Sequence, residues 1–251
     1  MSSTAPVAFV TGGASGIGLA VVNRWIAEGG HAVIADVRVE SLDEAVGALP
    51  VGTARGVVCD VTDRASVDAA RASVAGTEAR LDAVVNSAGI ARPEPSSAIT
   101  DAAFQLMLEI HVTGSMRVCR AAYPLLRASG GAIVNVASVA AIAGLPERAS
   151  YTSAKSAIGG LTRTLAVEWG RTGVRVNAVA PGYVRTALTD KLIRDGDLND
   201  EPVRSRTPLG RFAEPDEIAG AVQFLAGLAS SFVNGHVLVV DGGLTIDGDW
   251  Y

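Results

Sequence analysis

Tyr151 and Lys155 stand four residues apart, and Lys155 is one of only two lysines in a chain that otherwise meets its need for positive charge with nineteen arginines. The apolar pattern from Ser150 to Leu165 predicts a helix, in which a spacing of four stacks both side chains on one face, about one turn apart. A phenol titrates near pH ~10, and an ammonium beside it favours the phenolate. The pair therefore reads as a proton donor and acceptor usable near neutral pH. A surface lysine that merely follows an aromatic has the same spacing, so the pair needs a cofactor site beside it.

The N-terminal segment offers one. The apolar run 7–10 passes into Thr11-Gly12-Gly13-Ala14-Ser15-Gly16-Ile17-Gly18, a glycine-rich turn that opens a helical pattern. Glycines bring backbone N–H groups close to an anion, and the helix N-terminus adds partial positive charge. A pyrophosphate is the natural ligand, with Gly12, Ser15, Gly16, Ile17 and Gly18 as its cradle. The spacing is G-x-x-x-G-x-G, not the G-x-G-x-x-G of the standard dinucleotide fingerprint. Asp36 closes the next apolar run, about twenty residues on, where a carboxylate accepts both hydroxyls of an adenosine ribose. It would repel a 2′-phosphate, so NAD is expected rather than NADP. Arg38 could neutralise such a phosphate but reads as a surface arginine, because Asp36 occupies the nearer position.

These residues need a scaffold that brings strand ends together. Short, continuous, β-branched runs at 7–10, 32–35, 54–58, 81–85, 132–137, 174–179 and 237–240 alternate with helical patterns at 16–28, 39–49, 64–75, 101–128, 151–169 and 216–226. Continuous apolar strands belong to parallel sheets covered on both faces. The alternation implies right-handed crossovers and a doubly wound α/β sheet of seven strands with helices on both faces. Gly29-Gly30 and Gly130-Gly131 mark helix ends, Thr62-Asp63 and Thr100-Asp101 helix starts. No repeat or linker divides the chain, so 1–251 is read as one domain. The long polar segment 183–212 breaks the rhythm and is expected to lie over the site as a lid. Asp60 and Val61, after the third strand, would border the adenine.

Composition narrows the function further. Hydrophobic residues make up 49% of the chain and charged ones 19%, which permits a large core. A net charge of −5 without a basic stripe argues against nucleic acid or an anionic membrane as partner. No stretch approaches ~18 uninterrupted apolar residues, so no transmembrane helix is expected. The start lacks the basic region of a signal peptide, and the cytoplasm is the expected compartment. Cys59 and Cys119, like His31, His111 and His236, stand apart without ligand spacing, so no metal is expected.

Together these residues resemble the short-chain dehydrogenase/reductase family over nearly the whole chain, from Val7 to about Gly243. The resemblance rests on the glycine motif at 11–18, Asn86-Ser87-Ala88-Gly89, Ser138, Tyr151-x-x-x-Lys155, Pro181-Gly182 with Thr186, and Asp241-Gly242-Gly243. It implies a Rossmann-type fold and a role for each matching residue. Tyr151 would exchange a proton with the substrate oxygen, and Ser138 would position that oxygen. Lys155 would lower the Tyr151 pKa and bind the nicotinamide ribose. Asn86, with Ala88 and Gly89, would brace the cofactor site, while Val184 and Thr186, after Pro181 and Gly182, would meet the carboxamide.

One position departs from the family pattern. His111, in Ile110-His111-Val112-Thr113-Gly114, occupies a place where the family usually has an asparagine supporting a water chain to the lysine. An imidazole holds a water too, but it takes a charge near neutral pH and adds bulk. An active enzyme with an altered pH response is expected; a packed histidine facing away is the plain alternative.

Substrate contacts are expected from 90–98, 139–150 and 183–212. The run from Val139 to Leu145 is small and apolar, and Arg148 reads as facing solvent, which favours an uncharged secondary alcohol, polyol or ketone. A 3-oxoacyl-(acyl carrier protein) reductase is the close rival; Asp36 and the acidic charge speak against it. A catalytically idle dinucleotide sensor is the non-enzyme alternative, favoured only by His111. The resemblance also implies a homotetramer, in which Trp250 and Tyr251 could reach a neighbour's pocket.

Overall fold

The computed structural model describes residues 5–248, so Trp250 and Tyr251 lie outside the described residues. Seven strands, β1 (Val7–Thr11), β2 (His31–Asp36), β3 (Ala54–Val58), β4 (Ala83–Asn86), β5 (Ala132–Val136), β6 (Arg175–Pro181) and β7 (Val237–Val240), form one sheet in the order β3-β2-β1-β4-β5-β6-β7. Every pairing is parallel.

Side-chain alternation along each strand builds two cores from continuous apolar sequence. Val7, Phe9, Val33, Val84 and Ile133 point to one face, where α3 (Arg64–Thr77), α5 (Gly114–Ser129) and α6 (Ala149–Trp169) pack. Ala8, Val10, Ile34, Val85 and Val134 point to the other, covered by α1 (Gly16–Ala27), α2 (Val39–Gly47) and α9 (Pro215–Ala226). The helix starts carry their expected caps: Asp63 accepts from Ala65 and Ser66 N–H, and Thr100 accepts from Ala103 N–H. Each such cap stabilises by about 1 kcal/mol. Gly130 ends α5 with φ +68°, a left-handed conformation that a side chain would resist.

The sheet reverses its winding between β1 and β4, so their C-terminal ends diverge into a crevice, the place where such sheets bind ligands. Two segments differ from the sequence expectation. The single helix expected over 101–128 is two, α4 (Asp101–Leu108) and α5, joined by a π-helical turn at Glu109–Thr113. From the first turn of α5, Ser115 donates its hydroxyl back to the His111 carbonyl within the π turn at 2.7 Å, a back-bond that competes with the regular ladder. The polar excursion folds into two short helices, α7 (Ala187–Arg194) and α8 (Asp200–Arg206). Its two ends are tied by a bridge between Val184 and Ala213. Among the described residues no helix is long and apolar enough to cross a membrane.

Candidate active site

A cleft of about 1030 Å³ opens along the C-terminal ends of β1, β2, β4, β5 and β6. At one end lies the glycine turn. Gly12 has φ +61°, and a Cβ there would stand 2.8 Å from the Ala88 Cα; a Cβ on Gly18 would stand 2.2 Å from the Gly12 carbonyl. Only glycines let the turn fold this tightly against the loop after β4. Thr11 ties the two loops together, its hydroxyl accepting from the N–H groups of Ser87 (3.2 Å) and Ala88 (3.3 Å). The N-cap residue of α1, Ser15, makes no side-chain cap and the first turn holds no acidic residue, so the helix end is left for an external anion. This cradle fits a pyrophosphate.

Asp36, buried at the end of β2, forms the far wall. Arg38 does more than face solvent: its backbone N–H donates to Asp36 Oδ1 at 3.3 Å, and its Nη2 donates to Ser15 Oγ at 3.3 Å. Asp60 also lines the cleft, but its Oδ1 is engaged by the Thr62 N–H and hydroxyl. Gly16, Ile17, Val61, Ala88, Gly89, Pro181, Gly182, Val184 and Thr186 also line the cleft.

Two expected cofactor residues stay outside it. Gly18 serves the packing of the turn. Asn86 follows the alternation of β4 to the α5–α6 face, where its Nδ2 donates to Asn135 Oδ1 (2.8 Å) and Cys119 Sγ (3.2 Å). Asn135 in turn donates to Thr162 Oγ1 at 2.9 Å. This buried ladder braces the sheet beneath the cleft, consistent with a bracing role and not a direct contact.

The opposite half holds the chemistry-bearing side chains. Ser138 follows β5 and hydrogen-bonds the Tyr151 phenol; its Oγ also accepts from the Ala140 N–H at 3.1 Å. Lys155, one turn along α6, is buried and donates to the Val136 carbonyl at 2.7 Å, with Nζ 5.6 Å from the Tyr151 ring centroid. The expected depression of the Tyr151 pKa by Lys155 is not what the protein chain produces. Burial pushes the phenol up, and only the Ser138 hydrogen bond and the positive charge of Arg148 pull it back. Burial also lowers Lys155 to about 7. Desolvation penalises both charged forms and dominates both groups.

His111 faces into this half and does not turn away. It is 3% exposed, lines the cleft, and stands edge-on to Tyr151. Its Nε2 lies 2.9 Å from the Ile90 carbonyl and 3.2 Å from the Ile90 N–H. The shorter contact assigns the proton to Nε2, donating to the carbonyl. The expectation that this imidazole charges near neutral pH fails. Burial, then the nearby Lys155, lowers it to about 3, so it is neutral at working pH. Gly89 makes room for the ring: a Cβ there would stand 2.4 Å from the His111 Cε1.

Arg148, expected to face solvent, is half-buried and lines the cleft; half-buried Tyr183 and exposed Arg92 line it too. Sequence reasoning placed Tyr183 only within a long segment; its position directly after Pro181-Gly182 was the available signal. Among the described residues no group of His, Cys, Asp or Glu side chains is arranged to hold a metal ion.

A family model described as "Enoyl-(Acyl carrier protein) reductase" matches residues 12–245. D-threitol dehydrogenase of Mycolicibacterium smegmatis is 42% identical, over 96% of this chain and 93% of its own. The chain belongs to the short-chain dehydrogenase/reductase family. Galactitol 2-dehydrogenase (L-tagatose-forming) of Cereibacter sphaeroides, another relative, is also 42% identical, over 95% of this chain and 94% of its own. The solved structure of a levodione reductase superposes with a TM-score of 0.91 at 33% identity, covering 96% of this chain and 98% of that one. Membership makes this short-chain dehydrogenase/reductase an oxidoreductase that works with a nicotinamide dinucleotide. The glycine cradle at Gly12–Gly18 and the buried carboxylate of Asp36 fit such a group.

Proposed function

We propose that this short-chain dehydrogenase/reductase interconverts an uncharged secondary alcohol, with polyols the favoured class, and the corresponding ketone, using NAD. The observation that carries the reading is the convergence of Ser138, Tyr151 and Lys155 in one cleft that has Asp36 at its far end. The names of the threitol and galactitol relatives support the polyol class.

When bound, the nicotinamide supplies or takes the hydride. In oxidation the carbinol proton passes to Tyr151, while Ser138 holds the reacting oxygen beside the phenol. Burial keeps Tyr151 protonated in the free protein, a state ready to act as the acid in reduction. Oxidation needs the phenolate, which Ser138 and Arg148 favour. Lys155, lowered to about 7, can itself take up or release a proton at neutral pH. The segment 183–212 acts as a lid, since Leu188 and Leu192 of α7 and the following Leu198 form the apolar wall over the substrate half.

Asp36 favours NAD because its carboxylate would oppose a 2′-phosphate. Reduction of an acyl-carrier-bound ketone is the second reading; it shares the acyl carrier, though not the reduced bond, with the description of the family model. The net charge of −5 disfavours it, because an acidic carrier docks on a basic surface. A homotetramer is proposed from family resemblance alone, and light scattering tests it. A panel of secondary alcohols, polyols and acyl-carrier ketones scored with both NAD and NADP tests the function. NADH formation with alcohols, reduced at least about 100-fold by Tyr151→Phe, is expected. Alcohol turnover unaffected by that substitution would sink the assignment.

A further inference from the structure

Most of the substrate half of the cleft is apolar, with Leu145, Leu188, Leu192 and Leu198 among its walls. A polyol brings a second hydroxyl next to the reacting carbinol, and a buried hydroxyl without a partner binds poorly. Ser138 and Tyr151 are committed to the reacting oxygen, so another group must meet the second one.

Tyr183 is the aromatic that could. It lines the cleft, half-buried, and among the described residues its hydroxyl makes no hydrogen bond. Its side chain is near enough to Tyr151 to act on that phenol electrostatically. Its place is also held firmly. The Tyr183 carbonyl accepts from the Ala213 N–H at 2.9 Å, and the Ala213 carbonyl accepts from the Arg185 N–H at 2.9 Å. Its ring packs on Phe212 with centroids 6.0 Å apart. Phe212 is buried and carries the guanidinium groups of Arg185 and Arg204 at 5.9 and 5.8 Å. Cation–π contacts of this kind hold a ring in place. The phenol is thus mounted on the tied base of the lid.

We infer that Tyr183 is a specificity-determining residue, its hydroxyl binding the substrate hydroxyl adjacent to the reacting carbinol, so that vicinal diols and polyols are preferred over simple alcohols of the same length. This rests on the alcohol-oxidising function proposed above and names the subclass. A polar group aimed at a substrate hydroxyl discriminates against the analogue lacking it, because the site's own group is then left unpaired.

The test compares Tyr183→Phe with the native protein on a four-carbon secondary alcohol, its vicinal diol and the matching tetritol, with NAD. The ratio of kcat/KM for diol over simple alcohol is expected to fall about tenfold, the size of one lost hydrogen bond. Both substrates are read on one preparation, so a partly folded variant shifts both alike and leaves the ratio intact. An unchanged ratio overturns the inference. A native protein that turns over neither diol nor simple alcohol, with either dinucleotide, sinks the alcohol reading itself and this inference with it.

Discussion

His111 meets Tyr151 edge to face, with ring centroids 5.6 Å apart and ring planes at 90°. The contact puts an imidazole against the proposed proton-transfer residue, in a pocket that keeps that imidazole neutral. Burial and Lys155 both act in the same direction on it, and the hydrogen bond to Ile90 opposes them only in part.

Stability in mild acid follows. The folded pKa of His111 lies near 3, below the ordinary 6.5, so between those values the unfolded chain binds a proton that the folded chain refuses. Stability is therefore lost as pH falls through that window, by about 2 kcal/mol between pH 7 and pH 5. Urea unfolding at both pH values should show a smaller acid loss for His111→Asn than for the native protein. Equal losses would mean that His111 charges freely in the fold.

Gly89 and His111 form a matched pair. A methyl at Gly89 would enter the imidazole's space, at 2.4 Å from Cε1. Gly89→Ala should destabilise by about 1–3 kcal/mol, as overpacking does. Gly89→Ala combined with His111→Ala should recover part of that loss, giving a coupling of about 1 kcal/mol or more in a double-mutant cycle. Additive effects would show that the loop relaxes away from the ring.

Lys155 predicts the opposite pH arm. Its folded pKa, about 7, lies below the ordinary 10.5 because the ammonium is buried. The unfolded chain keeps the proton across that interval, so dinucleotide-free protein gains stability as pH rises through it. The gain is about 2 kcal/mol from pH 7 to pH 9. Lys155→Met should flatten this rise in a paired denaturation series, and should also remove activity. A variant with the native slope would show that the amine is charged in the fold.

Asp36 and Arg38 set the expected dinucleotide preference between them. The guanidinium Nε stands 3.5 Å from the Asp36 carboxylate and its Nη2 reaches Ser15. Asp36→Ala should remove the repulsion of a 2′-phosphate and free Arg38 to pair with it. The NADP-to-NAD ratio of kcat/KM should rise at least tenfold, and adding Arg38→Ala should cancel most of the gain. A direct titration of both dinucleotides, followed by fluorescence, checks the same shift without turnover. No change in either measurement would remove Asp36 from cofactor choice.

Much of this was readable one residue at a time. Continuous β-branched runs announced parallel strands, because a strand buried on both faces has no polar side to show. Asp63 and Thr100 announced helix starts, and Gly130 a helix end, because caps and left-handed turns depend on one residue's chemistry. The glycine turn was legible for the same reason: Gly12 must have no Cβ wherever its partner comes from. The π turn around His111 was not legible, since Glu109–Thr113 carries no proline or glycine to break the helix.

Spacing alone put Tyr151 and Lys155 on one helix face, and residue types alone made them acid, base and cation. What surrounds them came only from folding. Desolvation depends on every atom packed within several ångströms, most of them distant in sequence. That is why Tyr151 is raised where its lysine suggested lowering, and why His111 is neutral where its type suggested a switch. The same holds for direction: Asn86 and Tyr183 both sit in recognisable motifs, yet only the sheet's alternation and the tied lid turn one away from the cleft and the other into it.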